Sequence, residues 1–203
     1  MNKTILTMLA ALVVSVLVFG VCQGKEHKGE SAEDVKAPQF TLKNYDGKEV
    51  SLSDYAGKTV VLEWFNYECP FVLYHYEKPK TMAGLADKYK DKDVVWLAVN
   101  STKHLSVEKN ENFAEKHNLT YPILDDRSGK VGRAYGAKTT PHMFIIDAKD
   151  KIVYDGAIDD SPMGNKKEDA VNYVDKALAE LTAGKAVSTP KTKPYGCSVK
   201  YAR

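Results

Sequence analysis

The passage from Gly57 to Lys90 constrains the fold of this chain most tightly. Thr59 to Phe65 (Thr-Val-Val-Leu-Glu-Trp-Phe) is a β-branched, aliphatic and aromatic run behind Gly57-Lys58. That pattern predicts a central strand buried on both faces. Asn66, Tyr67, Glu68 and Cys69 follow, and Pro70 opens a helical pattern that continues to Lys90. Proline suits the first helical position, where its missing N–H would have no intrahelical partner. Pro79, inside the pattern, should kink the helix or split it in two.

The other segments continue this alternation. Phe40 and Leu42, a turn at Asn44-Tyr45-Asp46-Gly47, then Val50 and Leu52 predict a hairpin. Asp93 to Asn100 predicts a second buried strand, and Ser106 to Asn118 a helix with Ser106 as its N-cap. Tyr121 to Leu124 reads as a short strand, and Ser128 to Tyr135 as a short helix stopped by Gly136. His142 to Asp147 and Ile152 to Asp155 predict an antiparallel pair. Lys167 to Ala183 carries Val171, Val174, Leu178 and Leu181 at helical spacing, with Gly184 as the stop. The order predicts an α/β sandwich with a parallel core, an antiparallel edge and helices on both faces.

Residues 1–24 read as an export signal: Lys3, an apolar run from Ile5 to Val21, then charge from Lys25 onward. The run is at the short end for a membrane span, so the alternative is an uncleaved N-terminal segment that tethers the protein to a membrane. Acylation at Cys22 is a third reading, which Phe19-Gly20-Val21 fits poorly. Export places the protein in the periplasm or outside the cell. Residues 25–36 read as a flexible linker, 37–184 as one domain, and 185–203 as a Pro-, Thr- and Lys-rich tail carrying Cys197. The 29 Lys and Arg and 27 Asp and Glu are interspersed, which leaves no electrostatic footprint for nucleic acid. No phosphate loop or dinucleotide fingerprint is present, and no organic cofactor is implied.

Cys22 departs with the signal, which leaves Cys69 and Cys197. An even pair in an oxidising compartment is a candidate disulfide. Cys69 follows a buried strand and precedes a helix, at the positive end of the helix dipole. That position favours thiolate, the nucleophile of disulfide exchange. The plainer alternative is an inert buried thiol. A second feature is Thr140-Pro141 directly before the strand His142 to Asp147, a tight turn that admits a cis bond.

Val61 to Tyr76, the Thr140-Pro141 turn and the stretch Phe40 to Gly57 together resemble the thioredoxin superfamily, in its redoxin branch, the alkyl hydroperoxide reductase/thiol-specific antioxidant group. Lys193 to Lys200 is similar to the tail of exported peroxiredoxin-like members. The resemblance implies a thioredoxin-like three-layer sandwich with a mixed central sheet. It implies an exported thiol oxidoreductase acting in disulfide exchange or peroxide reduction, with electrons from a protein or small-molecule thiol. Cys69 would be the reactive thiol, and Thr140, Pro141 and Trp64 would shape the substrate groove. Disulfide-exchanging members use Cys-x-x-Cys. Cys69 falls on the second Cys and Asn66 on the first, so that dithiol is missing. Asn66 is left as a hydrogen-bond donor to a thiolate or peroxide oxygen. The peroxiredoxin Thr and Pro positions hold Asn66 and Leu62, and its Arg has only Arg127 or Arg133 as counterparts. Cys197 either resolves an intermediate from a C-terminal arm, or pins the tail through a permanent disulfide, or stays free. Closing so long a loop would stabilise by about 4–5 kcal/mol in the chain-entropy model.

Glu63 places a carboxylate in an apolar run, which is costly unless it is paired or faces a cleft. It is a candidate proton acceptor near Cys69; the alternative is an outward-facing side chain paired with a Lys. His75 and His142 raise copper handling as a minor reading. Six residues of helix turn about 600°, so Cys69 and His75 do not share a face and their spacing is not a metal motif. A non-catalytic binding module that kept the fold and lost the dithiol is the other alternative.

Overall fold

A computed structural model describes residues 35–166 and 169–202. The export segment and the linker up to Asp34 lie outside the described residues. The strands are β1 (Thr41–Asn44), β2 (Glu49–Ser51), β3 (Thr59–Trp64), β4 (Val94–Asn100), β5 (Ile123–Asp125), β6 (Thr139–Thr140), β7 (His142–Ile146), β8 (Ile152–Gly156) and β9 (Cys197–Ser198). The helices are α1 (Pro70–Glu77), α2 (Thr81–Tyr89), α3 (Val107–Lys116), α4 (Lys130–Tyr135) and α5 (Tyr173–Thr182).

Seven strands form one mixed sheet in the order β2-β1-β5-β4-β3-β7-β8. The centre, β5-β4-β3, is parallel, and antiparallel pairs flank it on both sides. This is the expected sandwich, and its layers follow from the pleat. Successive strand residues point to opposite faces. Val61 and Phe65, Trp96 and Ala98, Met143 and Ile145 join the core under α1, α2, α3 and α5. Val60, Leu62 and Trp64, Leu97 and Val99, Phe144 and Ile146 join a second core with Val131 and Tyr135 of α4. Both faces are covered, which is why β3, β4 and β7 read as continuous apolar runs.

Pro79 splits the long helical pattern, since α1 ends at Glu77 and α2 begins at Thr81. The last helix starts later than its apolar spacing predicts. Asn172 caps it by accepting the Asp175 N–H at 2.8 Å, and the Tyr173 N–H donates to the Ile158 carbonyl at 3.0 Å. Val171, expected on the apolar face, therefore lies before the helix and is exposed. The end of the predicted linker is also structured. The Ile152 N–H donates to the Val35 carbonyl, and Lys36 bridges to Lys151 at the start of β8.

Candidate active site

Cys69 is the N-cap of α1, with extended backbone and Pro70 behind it at the first helical position. Its carbonyl accepts the Leu73 N–H at 2.9 Å, the first bond of the helix. Its own N–H donates to the Asn66 carbonyl at 3.0 Å. The side chain of Asn66 accepts the Glu68 N–H at 2.8 Å. The Asn66 side-chain oxygen thus closes the turn that presents Cys69.

The Cys69 thiol donates to the carbonyl of Thr140 at 2.9 Å, across 71 residues of sequence. The Thr140–Pro141 peptide is cis. His142 braces the turn: its Nδ1 accepts the Lys138 N–H at 3.2 Å and its Nε2 meets Asp155 Oδ1 at 2.7 Å. The Thr139 hydroxyl donates to the Pro141 carbonyl at 2.9 Å. Thr140 is buried, and its own hydroxyl has no hydrogen-bond partner among the described residues.

The C-terminal segment lies along this turn instead of extending as a free arm. Pro190 and Thr192 exchange backbone hydrogen bonds with Asp155 on the edge of β8. The Tyr195 hydroxyl donates to Asp159 Oδ1 at 2.6 Å and lies 2.7 Å from His75 Nε2. Cys197 then pairs with Thr140, and Ser198 with Thr139, in the small antiparallel sheet β6–β9. Beyond it the Val199 N–H donates to Lys138, and the Tyr201 hydroxyl donates to the Ala137 carbonyl at 2.8 Å. Gly196 makes this approach possible. Its φ is +124°, and a Cβ there would stand 2.1 Å from the Thr140 oxygen. The sequence marks Tyr195 to Val199 as a small island in the tail but assigns Tyr195 and Gly196 no role; the glycine immediately before the tail cysteine is the local signal for the close approach.

Cys69 and Cys197 are therefore neighbours, and both are free thiols here. Cys69 is 2% exposed, whereas Cys197 is only partly buried. The Cys197 thiol is pushed up from its ordinary value by burial first, then by its side-chain interaction with Cys69 and the charge there; Lys200 opposes this.

Several expected site residues lie elsewhere. Trp64 does not line the groove. It is fully buried in the second core against Tyr135 and Phe144, with its indole N–H on Ser101 Oγ at 3.1 Å. Strand parity sends it to the face opposite Phe65 and Cys69. Glu63 neither faces out nor pairs with a Lys. It is fully buried and accepts from Tyr76 at 2.8 Å and Trp96 at 3.1 Å, while Oε1 has no partner among the described residues. Burial pushes its carboxyl up to about 7, against the lowering effect of those two bonds. Tyr76 sits two turns beyond Cys69 on α1, about 10 Å along the axis. The Glu63 hydrogen bonds thus end in the core and not at sulfur.

Both ring nitrogens of His75 are engaged, by Thr81 and Tyr195. No group of three His, Cys, Asp or Glu side chains among the described residues is placed to hold a metal ion. Arg127 is held by Asp125, and Arg133 lies over the Tyr201 ring and donates to the Ser128 and Ala202 carbonyls.

A cysteine capping a helix, set against a cis-proline turn on a mixed sheet, defines a thioredoxin-like thiol protein. Residues 34–155 match the AhpC/TSA family, and the chain belongs to that family. The thiol-disulfide oxidoreductase ResA of Bacillus cereus is 30% identical over 154 residues, 75% of this chain and 86% of that protein. The structure of a hypothetical protein from Sinorhizobium meliloti superposes with a TM-score of 0.76 at 26% identity, covering 83% of this chain and 94% of that one. The pneumococcal exposed lipoprotein thioredoxin of Streptococcus pneumoniae superposes with a TM-score of 0.50 at 31% identity, covering 58% and 87%. The chain is a thiol oxidoreductase of the redoxin branch. The family match ends before the tail that carries Cys197.

Proposed function

We propose that this protein carries out thiol-disulfide exchange outside the cytoplasm, with Cys69 and Cys197 as its redox pair. One observation carries the reading. The Cys69 thiol rests on the carbonyl of Thr140, the residue that Cys197 faces across the β6–β9 pair. Two thiols held at one backbone position can close a disulfide while the substrate disulfide is reduced to two thiols. Two electrons and two protons pass between them. Disulfide exchange is favoured over peroxide reduction because Arg127 and Arg133 are committed to Asp125 and to the tail. The apolar N-terminal segment supports an extracytoplasmic site, as does the likeness to an exposed lipoprotein thioredoxin.

The test is turnover of a disulfide substrate by the wild type, Cys69→Ser and Cys197→Ser, with intact-mass and peptide analysis of the oxidised protein. The expected result is a Cys69–Cys197 disulfide that opens with dithiothreitol and reforms with substrate, and loss of turnover in both variants. Undiminished turnover in Cys197→Ser would overturn the pairing.

A further inference from the structure

We propose that an external thiol enters the oxidised protein at Cys197, with Cys69 as the internal sulfur that is expelled. This rests on the redox pair above and assigns unequal roles within it. The resemblance implies Cys69 as the attacking thiol, with Cys197 resolving the intermediate from a C-terminal arm as one of its readings.

Access argues for the reverse. Thiolate attack on a disulfide requires in-line approach to one sulfur, opposite the sulfur that leaves. Cys69 belongs to the core cluster with Phe65, Val72 and Tyr76. A line through Cys197 to the far side of Cys69 therefore ends among packed side chains. The tail also covers the Thr140 turn against which Cys69 rests. Gly196 lies directly on the Thr140 carbonyl, with Tyr195 tied to Asp159 on one side and Val199 tied to Lys138 on the other. Cys197 is the partly exposed member of the pair, on a two-stranded ribbon at the surface of the turn. An approach to its sulfur opposite Cys69 comes from outside the domain.

The helix end agrees with this direction. Attack at Cys197 expels Cys69, whose sulfur departs at the N-terminus of α1, where unpaired N–H groups and the helix dipole favour developing negative charge.

The step balances. A thiolate of a dithiol reductant bonds to Cys197 Sγ, and the Cys69–Cys197 bond breaks. Cys69 departs with the electron pair and takes a proton from solvent. The second thiolate of the reductant then attacks its own sulfur in the mixed disulfide and releases Cys197. The reductant ends as a disulfide and the protein as two thiols. The preferred partner is thus a dithiol protein that meets β9, where Ser198 is exposed and Cys197 partly so.

The test uses wild-type protein. It is oxidised, and a Cys69–Cys197 linkage is established by peptide mapping. It is then mixed with reduced glutathione, acid-quenched at early times and alkylated with N-ethylmaleimide. The expected product carries glutathione on Cys197 and maleimide on Cys69, in excess over the reverse by about tenfold or more. Glutathione on Cys69 at the earliest times, or equal labelling, overturns this assignment while leaving the redox pair standing. Failure to form the Cys69–Cys197 linkage overturns the redox pair, and this inference with it.

Discussion

Glu63→Gln gives the sharpest physical test of the interior beneath the site. Glu63 is fully buried, with one oxygen bonded to Tyr76 and Trp96 and the other bonded to nothing among the described residues. Its carboxyl titrates at about 7 in the fold against an ordinary 4.5. The folded protein therefore holds a proton that the unfolded chain releases between these values. Stability from this group is complete below about pH 4.5 and falls as pH rises, until the folded group has itself ionised above about pH 7. A gap of about two and a half units corresponds to roughly 3 kcal/mol. Gln keeps an acceptor for Tyr76 and Trp96 and cannot ionise. Guanidinium unfolding of both reduced proteins at about pH 4 and pH 8 should show the variant gaining roughly 3 kcal/mol on the wild type between the two conditions. Parallel pH dependences would refute the reasoning and mean that water or a relaxed neighbour solvates Glu63.

Three further outcomes follow from the tail and the core. Gly196→Val puts a side chain where φ is +124° and a Cβ would stand 2.1 Å from Thr140 O. It should cost about 1–3 kcal/mol and speed alkylation of Cys69, read by melting temperature and timed maleimide labelling. Tyr195→Phe removes the hydroxyl shared by Asp159 and His75. It should destabilise by about 1–3 kcal/mol and increase hydrogen exchange in residues 190–202. Trp64→Phe loses the Ser101 hydrogen bond inside the second core. It should lower stability by about 1–2 kcal/mol and leave the KM for a disulfide substrate unchanged; a raised KM would return Trp64 to the groove.

Most elements were legible because their causes are local. The run Thr59 to Phe65 forms a strand wherever both its faces are covered. Pro79 splits a helix by geometry that neighbours cannot repair, and Ser106 caps α3 with its own side chain. The start of α5 is not legible, because the apolar spacing extends back to Val171, before the point where Asn172 and the Ile158 carbonyl set the first turn. The side of the sheet that Trp64 joins is not legible either, because an apolar strand buried on both faces carries no mark of which face meets the site.

The sequence by itself determined the sandwich, the place of Cys69 at a helix start, and the proline turn before β7. Each depends on residues within a few positions of one another. Only the tertiary structure decided that Cys69 meets Thr140, that the tail closes over both, and that Glu63 ends in a core of Tyr76 and Trp96. Those contacts span tens to more than a hundred residues. They are chosen by which surfaces remain uncovered once the sheet and its helices have packed. A tail rich in Pro, Thr and Lys carries no periodic signal of its own. Its conformation is set by the edge of β8 and the turn at Pro141, which do not exist until the domain has folded.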